Sequence, residues 1–212
     1  MHILQILLHI DQYLFSFVST YGAWTYTVLF MIIFCETGLV ITPFLPGDSL
    51  LFAAGSIAAT AGQQTLNHGL LFILLITASI IGNQINYFIG RWAGPHLLWM
   101  INKKHLAKTH AFYEKHGGKT ILLGRFLPII RTIVPFVAGM SEMRLMTFTI
   151  YNVVSAIVWI GSLLYAGYFF GSLPWVKDNF SLVIYGIVVV SVMPAVVGVI
   201  SGSRGQAAGR RD

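Results

Sequence analysis

The sequence predicts an all-α polytopic membrane protein: two opposed re-entrant helical hairpins in an inverted repeat, about three full transmembrane helices, and amphipathic surface helices. Three observations carry this expectation. Of the 212 residues, 56% are hydrophobic and only 9% are charged, with a mean hydropathy of +0.76, which is too apolar for a water-soluble fold. Segments 69–90, 145–173 and 179–203 contain no Asp, Glu, Lys or Arg, and each exceeds or meets the ~20 residues that a spanning helix needs. Regions 22–62 and 119–142 are also apolar, but prolines break them and charges sit in their interiors. So little is left outside these segments that the whole chain, 1–212, reads as a single membrane domain.

Taken in order, residues 1–18 place Ile3, Ile6, Leu7, Ile10 and Leu14 at helical spacing, with His2, Gln5, His9 and Gln12 opposite. This is the pattern of an amphipathic helix lying on the membrane surface. It has Asp11 in its apolar run and no basic leader, so it does not read as a cleaved signal. Region 22–62 carries Glu36 and Asp48 around Pro43, Pro46 and Gly47. Proline removes a backbone donor and breaks a helix, and such a break at membrane depth is tolerated where the backbone lines a cavity or is buried in protein. Region 22–62 is therefore read as a first hairpin, 69–90 as a span and 98–116 as an amphipathic cytoplasmic segment. Region 119–142, with Arg125 and Arg131 bracketing Pro128 and with Pro135 beyond, is read as a second hairpin. Spans 145–173 and 179–203 and the tail 204–212 complete the chain.

Sidedness follows from the basic residues. Arg91, Lys103, Lys104, Lys108, Lys115 and Lys119 lie between the first span and the second hairpin, and Arg204, Arg210 and Arg211 follow the last span. Both places, the C-terminus included, are expected to be cytoplasmic. The second hairpin then enters from the cytoplasm, while the uncharged connection AGQQTLNHG is external and the first hairpin dips in from that face. If 22–35 crosses fully instead, the N-terminus is cytoplasmic. The fragments LLFAAG (50–55) and VPFVAG (134–139) share F-x-A-G ahead of a long span. Together with the recurring order of amphipathic segment, broken segment and span, this points to the inverted repeats of many transporters.

The candidate chemistry lies in the broken segments. A charge near the bilayer centre costs roughly 2.5–3.5 kcal/mol on insertion scales, so it needs a partner, water or a ligand. Arg125 and Arg131 offer planar forks of donors that match phosphate oxygens, which makes them candidate phosphate-binding residues. Glu36 and Asp48, as acids at membrane depth, are candidate proton carriers. Asp48 also suits a helix N-cap, and all four charges could equally form a structural ion-pair cluster across the hairpins. Asn83, Asn86 and Tyr87 in one span, and Tyr151 and Asn152 in the next, are read either as interhelical hydrogen-bonding groups or as pocket lining.

Other chemistries are disfavoured. GGKT at 117–120 would need a glycine at 113 to complete a nucleotide-binding loop, and the chain has Tyr113. His96, His105, His110 and His116 show no metal-ligand spacing, and Cys35 is the only cysteine, so no metal and no cofactor is expected. The net charge of +6 sits at segment ends, which favours anionic lipid over nucleic acid.

The motifs FCETGLVITPFLPGDSLLFAAG (34–55), FYEKHGGKTILLGRFLPIIRTIVPFVAGM (112–140), YNVVSAIVW (151–159) and YAGYFFG (165–171) together resemble the DedA family of bacterial inner-membrane proteins, also described by its SNARE-associated or VTT domain. One departure is GNQINY at 82–87, where Asn83 stands at a position that is often acidic in part of the family. The resemblance implies a transporter-like fold and movement of lipid carriers, particularly undecaprenyl phosphate, across the cytoplasmic membrane for recycling, coupled to the proton motive force. It also implies that Glu36 and Asp48 match essential membrane acids, and Arg125 and Arg131 essential arginines. The expected partners are thus undecaprenyl phosphate or another anionic lipid, protons and membrane lipid. Rivals are a less specific phospholipid scramblase and a proton-coupled exporter of small cations. A lipid phosphatase would need a nucleophile or base beside the arginines, and 119–142 contains no histidine; a carrier rather than an enzyme is expected.

Overall fold

The computed structural model describes residues 21–39, 47–60, 66–97 and 119–190. The expected surface helix 1–18, the segment 98–116, Pro43, Pro46, the tail 204–212 and the end of the last span lie outside the described residues. Those that are described are helical, without strands: α1 (Trp24–Gly38), α2 (Gly47–Thr60), α3 (His68–Leu97), α4 (Lys119–Gly124), α5 (Pro128–Met140), α6 (Leu145–Phe170) and α7 (Pro174–Asp178), then α8 (Phe180–Val190).

Helices α3 and α6 are long and apolar enough to cross a bilayer. Their outward stripes, Ile73, Ile81, Ile85 and Phe88 on α3 and Met146, Ile150, Val154 and Ile157 on α6, are exposed. Apolar faces of this extent suit hydrocarbon rather than water. Where the sequence predicts a span at 69–90, α3 runs on to Leu97, because its backbone bonding does not stop where the apolar stretch does. Its start is set by Asn67, whose Oδ1 accepts from Gly69 N at 2.9 Å and Leu70 N at 3.1 Å, an N-cap that satisfies otherwise orphaned donors.

The second broken region separates into α4 and α5 at Arg125–Leu127. Leu127 is extended, as a residue before proline prefers, and Pro128 occupies the first turn of α5, where its missing N–H costs nothing. Of the prolines expected to mark breaks, Pro135 does not: it lies inside α5. One lost backbone bond is offset there by the tight packing of α5 on α3. Helix α5 ends in a Schellman turn, with Glu142 N donating to Gly139 O at 3.0 Å and Met143 N to Ala138 O at 3.1 Å. Glu142 holds φ at 55° in that turn, where glycine is usual.

The most extensive interfaces pair α3 with α5, α2 with α6 and α1 with α3. Glycines bring the first two together in matching ways. A Cβ on Gly55 of α2 would strike the Leu164 carbonyl of α6, and one on Gly167 would strike the Phe52 carbonyl. Likewise a Cβ on Gly139 of α5 would strike the Tyr87 carbonyl of α3, and one on Gly90 the Phe136 carbonyl. The shared F-x-A-G of 52–55 and 136–139 thus makes the same two backbone contacts in both places. Between α1 and α3, a Cβ on Gly38 would stand 3.2 Å from the Gly82 Cα. A core including Ile33, Leu51, Leu75, Trp159 and Ile160 fills the space among α1, α2, α3 and α6.

Candidate functional site

These packings bring one residue from each of several elements to a common interior point. Glu36 lies two residues before the end of α1, Asp48 lies in the first turn of α2, Arg125 stands in the break after α4, and Arg131 lies in the first turn of α5. Glu36, Arg125 and Arg131 are buried. Gly47 is part of the construction: a Cβ there would land on the Glu36 carboxylate.

The two arginines are held differently. Arg131 bridges both acids, with Nη2 donating to Glu36 Oε1 and Nη1 to Asp48 Oδ1 at 2.7 Å. Arg125 pairs with no carboxylate among the described residues. Its Nη1 donates to Asn152 Oδ1 at 3.2 Å and Ser155 Oγ at 3.0 Å, and its Nη2 to Ser79 Oγ. With its amide oriented to satisfy both ends, Asn83 accepts from Arg125 Nη1 at 2.8 Å and donates to the Thr37 carbonyl at 3.2 Å. Buried charges survive when paired or hydrogen-bonded; Arg131 is held by the two acids and Arg125 by hydroxyls and amides, while Glu36 Oε2 and the Nε of each arginine have no hydrogen-bond partner among the described residues.

Trp159 ties the group together. Its ring centroid lies 5.2 Å from the Arg125 guanidinium carbon and 4.7 Å from that of Arg131, both within cation–π range. Its Nε1 donates to Asp48 Oδ1 at 3.0 Å. One indole therefore touches three of the four charged side chains.

Of the other sequence candidates, Asn83 and Asn152 join this network. Asn86 lies beside it and donates to the carbonyls of Thr37 at 3.3 Å and Thr132 at 2.8 Å, tying α1 to α5. Tyr87 is buried outside this network; its hydroxyl donates to Met143 O and accepts from Arg91 Nη1 at 3.2 Å. Tyr151 packs against the cluster of Tyr87 and Phe148. Ser79, Ser155 and Trp159, which carry no charge, also belong to the network. A periodic signal was there: Ser79, Asn83 and Asn86 fall on one face of α3, and Asn152, Ser155 and Trp159 on one face of α6.

Comparison with known proteins bears on the whole chain. The family profile described as the VTT domain matches residues 45–169. Protein DedA of Escherichia coli K12 is 50% identical over 97% of this chain and 95% of its own. An uncharacterized membrane protein of Mycobacterium tuberculosis H37Rv is 41% identical over 84% of this chain and 80% of its own. Inner membrane protein YqjA of E. coli K12 is 34% identical over 70% and 69%, respectively. No solved structure matches the chain. The profile match, the extent of these identities and the apolar exteriors of α3 and α6 lead to one conclusion: the chain belongs to the DedA, or VTT-domain, family of membrane proteins.

Proposed function

We propose that this protein is a lipid-carrier flippase that moves undecaprenyl phosphate across the cytoplasmic membrane for recycling. In this reading α1–α2 and α4–α5 are re-entrant hairpins entering from opposite faces, the C-terminus is cytoplasmic, and the arginines receive the phosphate while the prenyl tail stays in lipid. The headgroup then crosses without entering hydrocarbon, which avoids the large cost of moving an unpaired ion through a medium of low dielectric. Glu36 or Asp48 exchanges a proton as access alternates, coupling the cycle to the proton motive force.

The observation that carries the reading is Arg125. Among the described residues this buried guanidinium donates to the hydroxyls and amides of Ser79, Asn83, Asn152 and Ser155 rather than to a carboxylate, and its Nε has no hydrogen-bond partner, so an anion can take the place that a purely structural ion-pair cluster would give to an acid. The test is transport of labelled undecaprenyl phosphate in proteoliposomes by wild type, Arg125→Ala, Arg131→Ala and Glu36→Gln. Loss of transport in folded arginine variants is expected, and undiminished transport in them would sink the reading. A scramblase would move phosphatidylcholine equally well in the same vesicles.

A further inference from the structure

Two donors converge on one oxygen position in the site. Arg131 Nη1 at 2.7 Å and Trp159 Nε1 at 3.0 Å both donate to the same atom, Asp48 Oδ1. Asp48 is the more accessible acid, its side chain 13% exposed against 0% for Glu36. Glu36 is packed against the Gly47 backbone, whereas Asp48 keeps part of its side chain open. Over the same indole, 5.2 Å from its centroid, stands Arg125, which no carboxylate reaches among the described residues.

We propose that Trp159 is a ligand-binding residue: its indole N–H and Arg131 Nη1 form an oxygen cradle that Asp48 fills in this structure and that a phosphate-monoester oxygen of an anionic lipid takes over. The inference rests on the flippase reading for the nature of the ligand, but not for the cradle. A phosphate monoester competes well for this place. It carries more negative charge than a carboxylate and has three terminal oxygens, so one can occupy the cradle while another faces Arg125. Asp48 is then an internal stand-in for the ligand, and the indole face keeps the two guanidiniums side by side while the anions exchange.

The test is binding of dihexanoyl phosphatidic acid, and separately of inorganic phosphate, to the full-length protein in phosphatidylcholine nanodiscs. Asp48→Ala is expected to bind phosphatidic acid about fivefold more tightly than wild type, since a built-in competitor is gone. Trp159→Phe, which keeps an aromatic face but loses the N–H, is expected to bind about fivefold more weakly and to cancel the gain when combined with Asp48→Ala. Should Asp48→Ala not fold, Asp48→Asn keeps the shape, removes the charge and is expected to shift affinity in the same direction. Wild-type binding that neither substitution alters, or that Asp48→Ala weakens, overturns the cradle and leaves the lipid-binding reading standing. Inorganic phosphate bound as tightly as phosphatidic acid, with the same response to the variants, supports the cradle and overturns the lipid reading. Absence of binding to wild type and every variant overturns both.

Discussion

Arg125 and Arg131 stand over the same indole, with guanidinium carbons 5.2 and 4.7 Å from the Trp159 centroid, yet among the described residues only Arg131 meets an acid. Two like charges at such close quarters are held by different means, one by carboxylates and the other by hydroxyls and amides. Their removal should therefore have different consequences for the folded state.

Arg131→Met is expected to destabilise the protein by about 3 kcal/mol, because Glu36 then keeps a buried charge without its cation. Adding Glu36→Gln should recover most of that loss. Arg125→Met should cost no more than about 1 kcal/mol, since Ser79, Asn152 and Ser155 can bond among themselves. Thermal unfolding in detergent, read from tryptophan fluorescence, measures all three, and equal losses for the two arginines would contradict the assignment of partners.

The glycine contacts give a second expectation. Gly55→Ala, Gly90→Ala, Gly139→Ala and Gly167→Ala each drive a methyl group into an opposing carbonyl and should destabilise by roughly 2–3 kcal/mol. Gly186→Ala, with nothing within 4 Å of its Cβ, should be neutral or slightly stabilising by helix propensity. Resistance of each variant to unfolding by SDS would rank them.

Gly47→Ala should disable the site rather than the fold. Its methyl group occupies the place of the Glu36 carboxylate, so the acid must turn away from Arg131. Transport in proteoliposomes is expected to fall at least about tenfold, a loss of about 1.4 kcal/mol or more in the activated state. Shortening the acid in the double variant Gly47→Ala/Glu36→Asp should restore part of it, an effect that general damage to the fold would not produce.

Glu142 offers a change in the stabilising direction. It adopts a φ of 55° in a turn that glycine fills without steric cost. Glu142→Gly should raise stability by about 0.5–1 kcal/mol, visible as a higher unfolding midpoint with transport unaltered.

Much of this arrangement was legible in the sequence. The charges of Glu36, Asp48, Arg125 and Arg131 stand out because hydrocarbon penalises them, and the segments 69–90 and 145–173 stand out by length alone. F-x-A-G was visible as a repeat of letters, but the helices its glycines would meet were not, since a small residue says only that something comes close. Nor could charge and spacing tell which arginine would take both acids; that depends on where α5 leaves the break at Pro128. Pro135 misled for a related reason, because a proline marks a break only when no packing compensates for the missing bond. Ser79, Ser155 and Trp159 are not legible in the sequence, because a hydroxyl or an indole is ordinary in an apolar helix until a guanidinium is set beside it.

The matched glycine contacts also constrain how the protein is made. They join α2 to α6 and α5 to α3, so the tight partner of α2 is a helix that leaves the ribosome only after α3, α4 and α5. Helix α2 must therefore go without the partner of its Gly55 surface until synthesis has passed Gly167. A chain truncated before α6 should be a substrate for membrane quality control rather than a half-sized functional unit.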